Sequence, residues 1–368
     1  MEAIAPVVDL RPWFYGSRED RHEVARQLDA AFTSGFLQVV GHGIDDVTLT
    51  RALDAMEAFF ARPEREKSVT VPPDGTYRGW TRRRSEGFAA TVDQVTPADL
   101  VEGFVCGAED RAGANPGDPA FARNWWPTDG ALRSALWSYY LAARALSEEI
   151  LAIAAVALGL DESFFSRHID HANVTMRANF YERRVEDGGL SDAQMALGAH
   201  TDYGICTVLL ADPGPGLQVL TPEGRWSDLE PAAGALIVNV GDAMALWTND
   251  QWPSTIHRVA PAPLAGGRPR RSIALFQDGN PDSVVACLPN APRIALRATA
   301  PPPLEHTSQQ RWRAADLVNV RAPCRPPQDA WEPRGRARHD GRATGRPWRG
   351  WLVLSRATVV LGGWWSLL

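Results

Sequence analysis

The chain has 368 residues, of which 45% are hydrophobic and 22% are charged, and its formal net charge at pH 7 is −6. This composition predicts an ordinary globular protein with a substantial core, and the negative charge disfavours a general role in binding nucleic acids or membrane surfaces. The chain shows no N-terminal leader pattern and no apolar run of 18 or more residues, so we expect a cytoplasmic protein without membrane spans. The four cysteines are scattered and form no CxxC pair, which favours a reducing compartment without a disulfide framework.

The first part of the chain predicts a mixture of helices and strands. A short strand is expected at residues 6–10 and a compact β-type run at 36–40. Helical spacing of apolar residues, or a continuous Ala- and Leu-rich composition, predicts helices over residues 21–34, 48–61 and 131–158.

From residue 174 onward, the pattern changes to short β-type runs separated by Gly, Pro, Asn and Asp. These runs cover residues 174–181, 206–210, 217–220, 235–240, 243–247, 257–260, 272–277 and 284–288. Many short strands with regular turn signals after a helical N-terminal part predict a barrel or jelly roll flanked by helices.

Residues 291–368 differ from the rest of the chain. They are rich in Arg, Trp and Pro, and apolar residues keep no regular period across residues 314–348. Three interpretations stay open: a flexible tail, a basic tail that binds an acidic partner, or a shifted reading frame. We therefore divide the chain into an N-terminal region (1–120), a helix plus core region (121–290) and an atypical tail (291–368) that we expect to be poorly ordered.

Three residues form a candidate metal site: His200, Asp202 and His257. Residues i and i+2 of a strand point to the same face, so His200 and Asp202 are expected to approach one ion from a single strand. His257 lies on another predicted strand. Two imidazoles and one carboxylate on one face of an octahedron leave three open positions, the arrangement that non-haem Fe(II) oxygenases use for O2 and a bidentate cosubstrate.

The H-x-D spacing alone is weakly specific, because His168 and Asp170 repeat it just after a predicted helix. We interpret this second copy as a polar loop, and His42 and His171 as surface or structural residues. Two further histidines, His306 and His339, fall in the atypical tail.

Several segments that occur in a fixed order give a more specific signal than any single motif. Residues 35–44, GFLQVVGHGI, are similar to a GFFxVxNHGI segment, with Gly41 where Asn is usual. Segments 7–10, 77–80, 99–104 and 124–127 also match in order. On these residues the chain, up to about Pro289, resembles the isopenicillin N synthase-like branch of the 2-oxoglutarate and Fe(II)-dependent dioxygenases.

The resemblance implies an α+β, mainly β fold with a double-stranded β-helix (jelly-roll, cupin-like) core flanked by N-terminal helices. It implies that His200, Asp202 and His257 are the catalytic Fe(II) ligands, with 2-oxoglutarate and O2 as cosubstrates. It also implies that 2-oxoglutarate is bound by four residues: Arg270, Ser272, Asn179 and Tyr181.

Physical chemistry supports the assignment of Arg270. A five-carbon diacid needs a cation at its far end, and arginine offers a planar bidentate fork to a carboxylate. Strand alternation places Arg270 and Ser272 on one face, so Arg271 is expected to point away. Arg177 shares a face with Asn179 and Tyr181 and is a candidate to meet an acidic substrate.

A few apolar residues are candidates for the wall of a substrate cavity, although core packing is their more common role. They are Trp247, Trp252, Leu209 and Leu217.

The expected activity is oxidation of a small-molecule natural product, by hydroxylation, desaturation or ring closure, with release of succinate and CO2. We expect a monomer, and by analogy a role in antibiotic biosynthesis. Two alternatives stay open: an Fe(II) oxidase that needs no 2-oxo acid, and an inactive family member with a frameshifted C-terminus.

Overall fold

The computed structural model describes residues 4–92, 94–108, 121–184, 187–261 and 269–288, together with the backbone of residues 319–320. The helices are α1 (Arg11–Tyr15), α2 (Arg18–Phe32), α3 (Asp46–Phe60), α4 (Glu64–Lys67), α5 (Ala131–Ala157), α6 (Ser166–Ile169) and α7 (Asp242–Trp247). Short 3-10 helices span Ser68–Thr70 and Phe88–Val92. The strands are β1 (Val7–Asp9), β2 (Phe36–Val40), β3 (Gly79–Thr81), β4 (Val101–Gly107), β5 (Val174–Tyr181), β6 (Leu197–His200), β7 (Cys206–Ala211), β8 (Leu217–Leu220), β9 (Trp226–Asp228), β10 (Leu236–Val240), β11 (His257–Val259), β12 (Arg270–Gln277), β13 (Val284–Val285) and β14 (Asn319–Val320).

Twelve of these strands form a large and a small sheet that together enclose the core of a jelly roll. The large sheet has the order β1-β2-β10-β7-β12-β5-β4-β3, and the small one has the order β6-β11-β8-β9. Side chains from both sheets line one cavity. The α+β fold with a double-stranded β-helix core and N-terminal helices is therefore confirmed.

Helices α2, α3 and α5 pack together against the face of the large sheet that is turned away from the cavity. Two of these helices begin at residues that are favourable N-caps. Ser17 and Asp20 form a reciprocal capping box at the start of α2. Asp45 accepts a hydrogen bond from the Thr48 backbone N–H at the start of α3. Side chains of β12 alternate between the cavity and the helix-covered face of the sheet, and Ile273 and Leu275 join the core on the helix-covered face.

Some predicted elements were wrong. Residues 243–247 form helix α7 rather than a strand, because a short apolar run has no decisive period and Gly241 with Asp242 starts a helix there. The strand predicted over residues 284–288 is limited to β13, which pairs with β14. Strands β3, β4 and β9 were not predicted, whereas β6 was expected only as the strand that carries His200.

Cys106 and Cys206 are buried free thiols, whereas Cys287 is disulfide-bonded, against the expectation of unpaired cysteines. Among the described residues, none of the helices combines the length and apolar character that a bilayer span requires. The expectation that the atypical tail (291–368) is poorly ordered falls outside the described residues, apart from the short strand β14.

Candidate active site

The candidate metal ligands converge at the edge of the small sheet. His200 is the last residue of β6 and His257 is the first of β11, and the two are paired across the antiparallel ladder. Their Nε2 atoms lie 3.7 Å and 3.9 Å from Oδ1 of Asp202, and the three ligand atoms lie within 4.8 Å of one another. All three side chains are buried, so the site is shielded from bulk water.

Backbone carbonyls orient both imidazoles. Nδ1 of His200 lies 2.8 Å from the Gly198 carbonyl oxygen, and Nδ1 of His257 lies 3.1 Å from that of Thr255. A carbonyl only accepts, so each Nδ1 carries the proton and each Nε2 keeps a free lone pair facing Asp202. Burial lowers the pKa of His200 to about 4, which keeps this imidazole neutral and able to bind a metal at physiological pH.

Asp202 is positioned differently from the expectation. It lies two residues beyond β6 and not on the strand, so strand alternation does not aim it. Its Oδ2 instead accepts hydrogen bonds from Oγ1 of Thr207 at 2.5 Å and from Nδ2 of Asn239 at 2.8 Å, which leaves Oδ1 for the metal. Sequence reasoning missed both donors. Asn239 could have been recognised from the sequence, because an amide inside the otherwise apolar strand β10 needs a hydrogen-bond partner when it is buried.

This donor set fits Fe(II). Two neutral imidazoles and one carboxylate from neighbouring strands form the facial arrangement that leaves positions open for cosubstrate and O2. Among the described residues, these three form the single group of metal-ligating side chains close enough to share an ion.

A second polar cluster lines the same cavity on the large sheet. Arg270 pairs with Tyr181, and Ser272 with Asn179, across the β12–β5 ladder, so all four side chains share one face. The Tyr181 and Ser272 side chains are hydrogen-bonded to each other. Nε and Nη2 of Arg270 are buried and have no hydrogen-bond partner in the described part of the chain. Burial lowers the pKa of this guanidinium, because it removes hydration from the charged form.

Arg271 points to the opposite face, as strand alternation predicted. Its guanidinium binds Asp212 through Nε at 3.0 Å and Glu57 through Nη1 at 2.7 Å, which ties β12 to α3. Arg177 lines the cavity but already has an internal partner, because it forms two hydrogen bonds with Glu86.

Two of the four suggested cavity residues line it: Leu209 and Leu217. Trp247 and Trp252 are instead fully buried in the core. Other lining residues that the sequence did not single out are Phe36, Phe88, Leu197, Val259, Ala274 and Phe276.

The second H-x-D copy does not join the metal site. His168 lies on α6, with its ring against Trp247, and Asp170 binds His171 and Asn280 at the surface. His42 is buried, 3.3 Å from the Gly234 carbonyl oxygen, which is a structural role. His306 and His339 lie outside the described residues.

Two family models match the chain. Residues 5–129 match the N-terminal domain described as non-haem dioxygenase in morphine synthesis, and residues 172–279 match the 2OG-Fe(II) oxygenase superfamily. The chain belongs to the 2OG-Fe(II) oxygenase superfamily. Its fold and its His200, Asp202 and His257 triad are those of a non-haem Fe(II) and 2-oxoglutarate-dependent oxidoreductase.

Similar proteins span most of the chain. A 2-oxoglutarate-Fe(II) type oxidoreductase, hxnY, of Emericella nidulans is 34% identical over 81% of this chain and 86% of its own length. Validamycin A dioxygenase of Streptomyces hygroscopicus subsp. limoneus is 31% identical over 77% of this chain and 79% of its own.

Solved structures of similar proteins share the fold over a comparable length. A 2OG-Fe(II) oxygenase family protein from Caulobacter crescentus has a TM-score of 0.69 at 28% identity, covering 85% of this chain and 99% of its own. A full-length Neurospora crassa protein in complex with alpha-KG also has a TM-score of 0.69, at 27% identity, covering 79% and 90%.

Proposed function

We propose that this 2OG-Fe(II) oxidoreductase hydroxylates a small-molecule natural product and couples that reaction to conversion of 2-oxoglutarate to succinate and CO2. The observation that carries the proposal is Arg270, whose buried Nε and Nη2 have no hydrogen-bond partner among the described residues, in the cavity that also contains the iron ligands. A buried unpaired cation is costly, so its retention argues for a missing anionic ligand.

In this proposal Arg270 and Ser272 bind the distal carboxylate of 2-oxoglutarate. The guanidinium supplies a charge-assisted fork, and the Ser272 hydroxyl adds a donor two residues along the same strand face. Tyr181 packs beside the guanidinium, with its ring centre 5.5 Å from the guanidinium carbon. Asn179 lies directly across the ladder from Ser272 and completes the polar wall.

The protein residues position the reactants and exclude water. The bound Fe(II), 2-oxoglutarate and O2 supply the oxidising chemistry. His200, Asp202 and His257 would hold the metal from one side, so that its other positions face the cavity. The apolar residues around this site keep it dry, which protects a reactive oxidant from side reactions.

Desaturation and ring closure use the same site and are the alternatives to hydroxylation. Validamycin A dioxygenase, a similar protein named for a natural product, supports a substrate of that class, and antibiotic biosynthesis is part of the proposal. A cytoplasmic location and a monomeric state stay predictions from the sequence.

The test is substrate-dependent succinate formation. The purified full-length protein with Fe(II) and 2-oxoglutarate is incubated with a panel of natural products, and succinate and oxidised product are quantified together. We expect at least one compound to give both in equal amounts, and Arg270→Leu to lose both at limiting 2-oxoglutarate. Product formation without 2-oxoglutarate would instead identify an oxidase that takes all its electrons from the substrate.

A further inference from the structure

The cavity wall that is left after the iron and 2-oxoglutarate residues are set aside is largely apolar. It contains Phe36, Phe88, Leu197, Leu209, Leu217 and Val259. One further charged residue lines the cavity among the described residues: Arg177. Whether the positive charge of Arg177 is compensated within the protein therefore decides whether the remaining space suits an ionic or an uncharged substrate.

The Arg177 guanidinium is neutralised from within the protein. Its Nη1 and Nη2 donate to the two carboxylate oxygens of Glu86 at 2.9 Å and 2.6 Å, a bidentate pair. Its Nε donates to Oδ1 of Asn179 at 2.5 Å, and Nη1 also contacts the Tyr77 hydroxyl. Both charged side chains are shielded from solvent, with exposed fractions of 4% and 13%, so the pair is weakly screened.

This ion pair lies next to the metal site. The ring of Phe88 is 5.3 Å from the His200 ring and 5.2 Å from the Arg177 guanidinium carbon, so one aromatic ring separates the cation from an iron ligand. Gly103 of β4 makes the arrangement possible, because a Cβ at this position would lie 2.8 Å from Nη2 of Arg177.

The formal charges of the loaded cavity cancel. Fe(II) with Asp202, 2-oxoglutarate with Arg270, and Arg177 with Glu86 together sum to zero when the histidines are neutral. An anionic substrate group near Phe88 would have to displace Glu86 from Arg177 and leave a buried carboxylate without its partner, a penalty that disfavours such substrates.

We propose that Glu86 is a specificity-determining residue, which neutralises Arg177 and thereby selects an uncharged, largely apolar substrate. This inference rests on the proposed function, since it assigns the space beside the iron to the substrate. It replaces the expectation that Arg177 meets an acidic substrate.

The experiment compares two ligands with the same carbon skeleton and different charge, 3-phenylpropanamide and 3-phenylpropanoate. The full-length protein is loaded with Fe(II) and 2-oxoglutarate without oxygen, and each dissociation constant is measured by calorimetry. We expect the wild type to bind the amide at least about tenfold more tightly than the carboxylate. Glu86→Gln should strengthen carboxylate binding about tenfold, and adding Arg177→Met should remove that gain.

Thermal unfolding measured without Fe(II) and 2-oxoglutarate separates an effect on specificity from an effect on folding. Glu86→Ala leaves a carboxylate-sized gap beside Arg177, so acetate should raise the thermal midpoint of this variant clearly more than that of the wild type or of Glu86→Ala/Arg177→Met, in which Arg270 remains the cation open to a carboxylate. The proposal is overturned if the wild type binds the carboxylate as tightly as the amide or binds neither, if Glu86→Gln gains nothing, or if acetate stabilises the wild type equally. Failure of 2-oxoglutarate to bind the Fe(II)-loaded wild type would instead contradict the proposed function.

Discussion

Arg270 and Arg271 are adjacent in β12, yet their guanidinium groups lie in opposite environments. Arg270 enters the cavity, where Nε and Nη2 have no partner among the described residues. Arg271 extends from the other face of the sheet and binds the carboxylates of Asp212, which follows β7, and of Glu57 in α3. One arginine is therefore available to a ligand, and its neighbour is committed to holding the strand against a helix.

The two arginines should respond differently to the same substitution. Arg270→Leu should raise the dissociation constant of 2-oxoglutarate by roughly 10- to 150-fold, because a charge-assisted contact of about 1.5–3 kcal/mol is lost. Arg271→Leu should leave that constant nearly unchanged but lower the free energy of unfolding by about 1–3 kcal/mol, since it leaves Asp212 and Glu57 without their cation. Calorimetry and urea unfolding measure the two quantities, and equal losses of affinity would refute the assignment by strand face.

The two H-x-D motifs should also separate in experiment. His200→Ala, Asp202→Ala and His257→Ala should each abolish Fe(II) binding and turnover, because each removes a direct ligand. The matched controls His168→Ala and Asp170→Ala should retain both, since these side chains contact Trp247 and His171 away from the metal site. Metal content after anaerobic loading gives a readout that does not need the substrate. Loss of iron in the controls and not in the first set would place the metal at His168 and Asp170 instead.

The fold and the metal ligands could be predicted because several segments occur in a fixed order along the chain, whereas the H-x-D spacing alone occurs twice. The alternation of β12 separated Arg270 from Arg271, helices α2 and α3 follow clear apolar periods, and α5 is rich in Ala and Leu. Helix α7 was mistaken for a strand because five apolar residues fit either period, and the choice depends on tertiary packing.

The parts that sequence could not provide come from long-range pairing. Thr207 and Asn239 meet Asp202 only because β7 and β10 are adjacent in the large sheet. Glu86 meets Arg177 across 91 positions of chain, and neither residue carries a motif. Contacts of this kind depend on strand order, which a single sequence does not specify.

The donors to Asp202 should tune iron affinity. Asn239→Leu and Thr207→Val each remove one hydrogen bond to Oδ2, so the carboxylate is less firmly aimed at the histidines. We expect Fe(II) affinity to fall about 10- to 100-fold in each variant, the usual cost of losing a group that orients a metal ligand. The double variant should lose more than either single one. Unchanged affinity in both single variants, with the protein folded, would mean that β6 alone fixes Asp202.

Asp278 should make the protein less stable as the pH rises. Burial and the nearby Asp202 raise the pKa of this carboxyl group to about 7, against the opposing charge of Arg78. Between the ordinary pKa near 4 and this raised value, the folded state binds more protons than the unfolded state, so the free energy of unfolding falls as the pH increases through that window. The Asp278→Asn variant has no ionisable group at this position, so its free energy of unfolding should not fall in this way.

We therefore expect Asp278→Asn to match the wild type most closely near pH 5 and to exceed it by at least about 1 kcal/mol at pH 8.5 in urea unfolding. Asp187→Asn is the matched control. Burial alone would raise the pKa of Asp187, but hydrogen bonds from Arg83 and Arg84 hold it at about 2. The Asp187 carboxylate is therefore ionised at both pH values. Its substitution should lower stability by the same amount at each pH. If Asp278→Asn shows no stability gain over the wild type between pH 5 and 8.5, the Asp278 carboxyl group is ionised in the folded protein at both pH values. The positive charge of Arg78 would then offset the cost of burying the carboxylate.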